Sequence, residues 1–394
     1  MKSDRAIAYP FPMHLSQGFT YHLSILQFTI ALSRRLPVFL ISLDTRDEIE
    51  ETVDYHFGEQ IPESLSIITV GNRKFGFKSN TLWFRRGALQ AIVKLAKRYQ
   101  WLAIYTRNVK TGGAIFSAKT RLPKNIVRVF ESHQLFSQNL SFDCEFERAR
   151  REYRLEQRLY NNCDLIFVNT SLLRNQIRRL FQKDSFILPL AVRAEDLADP
   201  KDFSKQNYCV REYDFAYVGS FDPWKGVDVF IEALAIIAKN GWAGRAVLVG
   251  VKSQELSLWE EKLSTLAVSE YVDLYPRISK QSVKNILDRA KVGVIPNSMM
   301  DDSLLNTSPL KVFDYAARGL RLLVSKVPAI YADVDAPDIS WFKPDDPIDM
   351  AHNLAVVAGS SIEPSVGNYN WASQYTWDKR ADRVIELIEK RAND

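Results

Sequence analysis

Three places in the sequence carry residue types that suit a phosphorylated ligand. The first is Asn306-Thr307-Ser308-Pro309-Leu310-Lys311-Val312-Phe313-Asp314-Tyr315-Ala316-Ala317-Arg318-Gly319, followed by the apolar run Leu320 to Ser325. Thr307 or Ser308 can cap a helix that starts at Pro309, because proline's fixed φ suits the first helical position and its missing N–H is no loss there. Gly319 ends that helix about three turns later, and the Leu-Leu-Val run after it reads as a buried strand. The free amides at Ser308 to Leu310 then face the end of a sheet, where α/β proteins hold phosphate. Asp314 is within reach of whatever continues from such a phosphate, and its carboxylate can accept two hydrogen bonds from a pair of sugar hydroxyls. The second place is the strand Tyr213 to Val218 with Gly219 and Ser220 at its end, then Lys225 just before a helix. Gly219 lets the backbone come close to a pyrophosphate, and Lys225 can neutralise charge that grows on a leaving diphosphate. The third is His133, which follows Glu131-Ser132 at the end of an apolar strand, where ligands bind in open α/β sheets.

These residues resemble the donor-site motif of retaining glycosyltransferases of the GT-B fold, in particular glycosyltransferase family 4 (group 1). Many members read Ser-Pro-Leu-Lys-x-Phe-Glu-Tyr-Met-Ala-x-Gly, against Ser308 to Gly319 here. The resemblance implies two Rossmann-like domains facing across a cleft, with a C-terminal helix that crosses back to the first. It implies transfer of a sugar from a UDP- or GDP-linked donor with retention of configuration and with no obligatory metal or other cofactor. The family's paired acids fall on Asn306 and Asp314, so Asn306 contacts the sugar without charge and Asp314 holds the ribose. His133 is implied to reach the donor sugar. The loop Pro276-Arg277-Ile278 is implied to cradle the base, and the loop with Gln17-Gly18 to lie close to the acceptor and diphosphate. Where the family carries an arginine after the strand-end glycine, this chain has Ser220, which leaves a cationic contact for Arg277 or Lys311 to supply.

The alternation of strands and helices spans the whole chain. With 394 residues, 46% of them apolar, there is material for two α/β cores. Their expected limits are 1–195 for the acceptor-side domain and 208–375 for the nucleotide-sugar domain, with 376–394 as the returning helix. A net charge of +5 hides an asymmetry, since residues 1–190 hold 28 Lys+Arg against 17 Asp+Glu and the remainder 24 against 30. The basic character therefore belongs to the first part. Between Arg73 and Arg98 eight basic residues occur with no acid, interleaved with Phe75, Trp83, Phe84, Ile92 and Leu95. A helix there can pack inward by its apolar side, or offer a face to an anionic or lipid-linked acceptor or an anionic membrane surface.

No apolar run approaches the length of a membrane span, and the three cysteines have no metal-like spacing. The expectation is a cytoplasmic protein, peripheral at most to the inner membrane face. Nucleic acid is not an expected partner, since no binding module accompanies the charge. Asp333-Val334-Asp335 could suggest a metal-dependent transferase, but it falls too late in the chain and reads as a loop. Phosphate-loop, dinucleotide-fingerprint and nucleophile-elbow motifs are absent. Two other readings keep the fold: a non-enzymatic scaffold or partner subunit, which Asn306 and Ser220 would suit, and a nucleotide-sugar epimerase.

Overall fold

A computed structural model of the chain describes residues 3–71, 81–118, 120–138, 146–204, 208–300, 310–359 and 363–393. It divides into two compact units, Met1–Pro189 with Trp377–Asp394, and Leu190–Thr376.

The first unit is built on β1 (Ser3–Pro10), β2 (Val38–Ser42), β3 (Leu65–Thr69), β4 (Tyr99–Thr106), β5 (Ile126–Ser132), β6 (Leu165–Val168) and β7 (Phe186–Ile187). All pairings are parallel, in the order β3-β2-β1-β4-β5-β6-β7. Parallel neighbours need long crossovers, which the intervening helices supply. Because strand side chains alternate, Ala6, Ala8, Leu102, Ile104, Phe130, Ile166 and Val168 form one face. On that face pack the helices Thr81–Ala96, Val109–Phe116, Phe146–Tyr160 and Ser171–Phe181, through residues such as Phe84, Ile92, Phe116, Leu159 and Phe181.

Tyr9, Tyr105 and Phe167 belong to the opposite face. Tyr105 stacks on Tyr9 at 5.4 Å between ring centroids and on Phe167 at 6.1 Å. Against them lies helix Thr20–Ser33, whose Phe28 is 5.3 Å from Tyr105 and 6.1 Å from Trp377 of the last helix, Trp377–Asn393. Held between the sheet and that last helix, Thr20–Ser33 is buried on every side from His22 to Ser33. Arg35 ties the two helices together through Asp378 and, at 2.7 Å, Asp382.

The second unit contains β8 (Tyr213–Val218), β9 (Ala246–Val251), β10 (Val272–Pro276), β11 (Ala290–Ile295), β12 (Arg321–Ser325) and β13 (Ile339–Phe342), all parallel and ordered β10-β9-β8-β11-β12-β13. The strand order reverses between β8 and β11, and open α/β sheets take ligands at the carboxyl ends of such a pair. Phe215, Leu248, Val292, Val294 and Leu323 pack under helices Val227–Lys239 and Pro347–Gly359. On the other face helix Leu310–Ala316 lies flush on β11. A Cβ at Gly293 would fall 2.2 Å from the Tyr315 ring, so only glycine permits this approach. The Tyr315 hydroxyl then accepts the Val218 N–H at 2.8 Å and fixes the end of β8.

Two helices lie where the sequence pattern singled out none. Val109–Phe116 contains Gly112-Gly113 and is capped by Asn108, which accepts from Thr111 N at 2.9 Å. A Cβ at Gly112 would come within 2.9 Å of Leu159, so the glycine lets the helix sit against Phe146–Tyr160. Val366–Ala372, expected as a loop, is capped by Ser365, which accepts from Asn368 N at 2.9 Å.

Candidate functional site

In the second unit the end of β8 and the helix Leu310–Ala316 bring Gly219 and Lys311 together. The Lys311 ammonium lies 3.9 Å from the centre of the Tyr217 ring, and a Cβ at Gly219 would sit 2.5 Å from it. This Nζ is sealed from solvent and has no hydrogen-bond partner. Burial, and next the charge of Lys225, hold its pKa well below the usual lysine value, with only Asp222 opposing. Lys225 ends the short turn Pro223–Lys225, its Nζ 3.3 Å from the centre of the Trp224 ring. That turn is held against the end of β11 by Ser298 N, which donates to Trp224 O at 3.1 Å. Gly226 follows at φ 67°, and any Cβ there would collide with Pro296 O at 1.9 Å. Lys311 and Lys225 thus converge on a glycine backbone at a sheet end, and the buried Lys311 Nζ has no hydrogen-bond partner. An anion with several oxygens would supply the hydrogen bonds that Lys311 lacks.

Asp314 lies one residue before Tyr315, and its Oδ2 accepts from Lys280 Nζ at 2.8 Å. Lys280 begins helix Lys280–Leu287, capped by Ser279, directly after Arg277 and Ile278. Arg277 is exposed and Ile278 half-buried, at the carboxyl end of β10, two strands from β8. Ser220 follows Gly219, and its carbonyl accepts the Tyr217 hydroxyl at 2.5 Å. Asp196 is a further acid near Asp314, its pKa raised by burial and by Asp314 despite Arg193. Leu310 is buried at the start of its helix, whereas Asn306, Ser308 and Pro309 lie outside the described residues. The sequence reading left Lys280 and Tyr217 without a role. The only hint for Lys280 was its place just after the Arg277-Ile278 loop. Asp335 accepts from Trp371 Nε1 at 2.7 Å, which makes it part of a loop anchor.

In the first unit His133 belongs to a buried charge cluster centred on Glu131. The Glu131 carboxylate meets Arg380 at 2.6 Å, Arg107 at 3.0 Å and His133 Nε2 at 2.6 Å, and accepts the Tyr105 hydroxyl. Burial alone would raise the pKa of Glu131, but the Arg107 and Arg380 guanidiniums hold it well below the carboxylate range. Desolvation and Arg107 lower that of His133, against the pull of Glu131. The result is a neutral imidazole, 31% exposed, fixed through one ring nitrogen. Arg107 also donates to Ser24 Oγ at 2.9 Å. The role of Arg380 has no sequence signal, since it lies far along the chain in a helix rich in charges of both signs.

Gly18 ends the turn Leu15–Gln17 at φ 60°, a left-handed conformation that suits glycine. This loop is clamped by buried Asp44 after β2, which accepts from Leu15 N at 2.6 Å and Ser16 Oγ at 2.8 Å and contacts His14 at 2.9 Å. Among the described residues no group of three or more His, Cys, Asp or Glu could hold a metal ion.

Comparison with known proteins finds similarities in part of the sequence and in the fold. Residues 212–359 match the family model described as Glycosyl transferases group 1. Sucrose-phosphate synthase from Thermosynechococcus elongatus superimposes with a TM-score of 0.74 at 16% identity, over 98% of each chain. Anabaena HepE, in complex with UDP, gives 0.69 at 14% identity over 98% of this chain and 100% of its own. WaaG, a glycosyltransferase involved in lipopolysaccharide biosynthesis, gives 0.63 at 14% over 98% and 99%. No curated protein matches the sequence. The fold is thus the GT-B architecture of glycosyltransferases. Within the second unit, residues 212–359 are similar to the group 1 glycosyltransferase model.

Proposed function

We propose that the protein transfers a sugar from a nucleotide-sugar donor to a glycan, lipid-linked or other acceptor, with retention of configuration and without an obligatory metal. The observation that carries this reading is the buried, unpartnered Lys311 ammonium beside Gly219 and near Lys225, which a donor diphosphate would complete. Asp314 holds the ribose, with Lys280 orienting its carboxylate; Asn306 and the amides at Ser308 to Leu310 complete the donor contacts. Arg277 and Ile278 border the base, Gly18 the acceptor, and His133 contacts the donor sugar as a neutral hydrogen-bonding group. The leaving phosphate takes the acceptor proton, so retention needs no separate carboxylate base. The similar protein HepE forms complexes with UDP, with UDP and glucose, and with UDP-glucose, which favours a uridine donor over a guanosine one. The segment 73–98 contributes to contact with an anionic acceptor or membrane surface.

Thermal-shift titration with UDP, GDP and ADP tests the donor site, and NMR of the product anomer tests retention, each with and without EDTA. The expected results are stabilisation by one diphosphate, its loss in Asp314→Ala, and an α-linked product from an α-linked donor. A chain that no nucleoside diphosphate stabilises, or an Asp314→Ala variant with unchanged turnover, would overturn the reading.

A further inference from the structure

The first unit segregates its charge across its sheet. The four helices on one face, 81–96, 109–116, 146–160 and 171–181, carry twelve Lys or Arg against three Glu. Two of those acids, Glu152 and Glu156, are buried, so the solvent side of this layer presents eleven exposed cations and one exposed acid, Glu147. The ion pairs here are long: Arg150 to Glu147, Arg151 to Glu152 and Arg178 to Asp184 are each 4.0 Å apart. The opposite layer is different in kind. Helices 46–57 and 377–393 carry six Lys or Arg against nine Asp or Glu, and contacts such as Arg46 to Glu50 at 2.6 Å and Arg34 to Asp378 at 3.2 Å neutralise them in place.

We propose that the cationic layer is a docking face for an anionic phospholipid bilayer. Charge alone would suit any polyanion, and two observations select lipid. At the start of the first helix of this layer Leu82 and Trp83 are 66% and 65% exposed, an apolar pair next to exposed Arg86. A tryptophan beside basic residues is the composition that settles at the headgroup boundary. At the far side of the layer, the end of helix 171–181 borders a cavity of about 250 Å³ lined by Arg174, Asn175, Arg178, Lys183, Asp184 and Ser185. Three of these are cations, and the space suits a phosphate headgroup. The sequence singled out only the stretch to Arg98; the fold places helices 146–160 and 171–181, with eight more arginines, in the same layer. The proposal stands independently of the donor reading, because it uses the first unit alone.

The test is co-sedimentation of the full chain with vesicles of phosphatidylglycerol and phosphatidylcholine, compared with phosphatidylcholine alone, at low and high salt. Wild type should pellet with the anionic vesicles only, and salt should release it. Reversing Arg154, Arg158, Arg174 and Arg178 to Glu should weaken partitioning by at least about tenfold, since each engaged basic residue contributes about 1 kcal/mol near such a surface. Leu82→Ser with Trp83→Ser should weaken partitioning at low salt while leaving its salt dependence in place, because the apolar contact is lost and the charges remain. Lys390→Glu with Arg391→Glu, on the balanced layer, changes net charge without touching this face and should bind like wild type. Circular dichroism confirms that each variant is folded. Equal binding to both vesicle types would overturn the proposal. So would an equal loss in the Lys390/Arg391 variant, or binding to heparin with no pelleting on anionic vesicles.

Discussion

At the scale of a single residue, Lys311 sets binding against stability. An uncompensated ammonium sealed beneath Gly219 destabilises the unliganded protein, and replacing it by an apolar side chain of similar length removes that penalty. Lys311→Met should therefore raise thermal stability, by on the order of 1–3 kcal/mol, while weakening nucleoside diphosphate binding roughly 10- to 100-fold. Its pKa is lowered in the folded state, so the unfolded chain holds the proton over a pH range where the folded one has lost it. The destabilisation is fully present below the folded-state pKa and fades as pH rises toward the ordinary value of 10.5. The advantage of Lys311→Met in melting temperature should accordingly be larger at pH 7 than at pH 10. A variant that melts lower than wild type at both, with binding intact, would remove Lys311 from the site.

Among the elements, helix Phe146–Tyr160 carries a second titrating group. Glu156 is buried and accepts from Phe136 N and Ser137 Oγ, both at 2.6 Å, which holds the loop after His133. Burial nevertheless raises its pKa to about 7. The folded state then keeps a proton that the unfolded chain loses, so stability should fall as pH rises from about 4.5 to about 7, by on the order of 3 kcal/mol, and level off above. Glu156→Gln retains an acceptor for Phe136 N and should flatten that slope in urea titrations across this range; an unchanged slope would assign the pH dependence elsewhere. The elements were largely legible beforehand, because buried parallel strands such as Leu102 to Thr106 announce themselves as apolar runs between polar ends. Val109–Phe116 was not, since the use of Gly112 depends on Leu159, a partner that only the tertiary structure supplies. The candidate site divides likewise: Gly219, Lys225 and Asp314 were singled out from local spacing and Lys311 through the family resemblance, whereas the Lys280 contact to Asp314 and the Arg380 contact to Glu131 join residues far apart in sequence.

For the molecule as a whole, the buried cluster at Glu131 is the most consequential long-range feature. Arg380 reaches it from the last helix, with Pro189 O as a further acceptor at 2.9 Å. Removing one partner of a buried ion pair leaves the other uncompensated, so Arg380→Met should cost about 3–5 kcal/mol in urea unfolding. Adding Glu131→Gln to it should recover part of that loss. A double variant no more stable than Arg380→Met would mean that the two side chains do not couple. His133 should also respond, since its ring is fixed by Glu131. In Glu131→Gln the imidazole loses an ionic partner that raises its pKa, and NMR titration should find it lower.

The same pairing spans 249 residues of sequence. During synthesis the first unit therefore leaves the ribosome with its central carboxylate lacking one of its two guanidiniums and with Phe28 missing the cover of Trp377. Every residue of the second unit is translated before that cover arrives. The part made first is thus finished after the second, and the continuous second unit can reach its native state while the first waits for helix Trp377–Asn393 to be made.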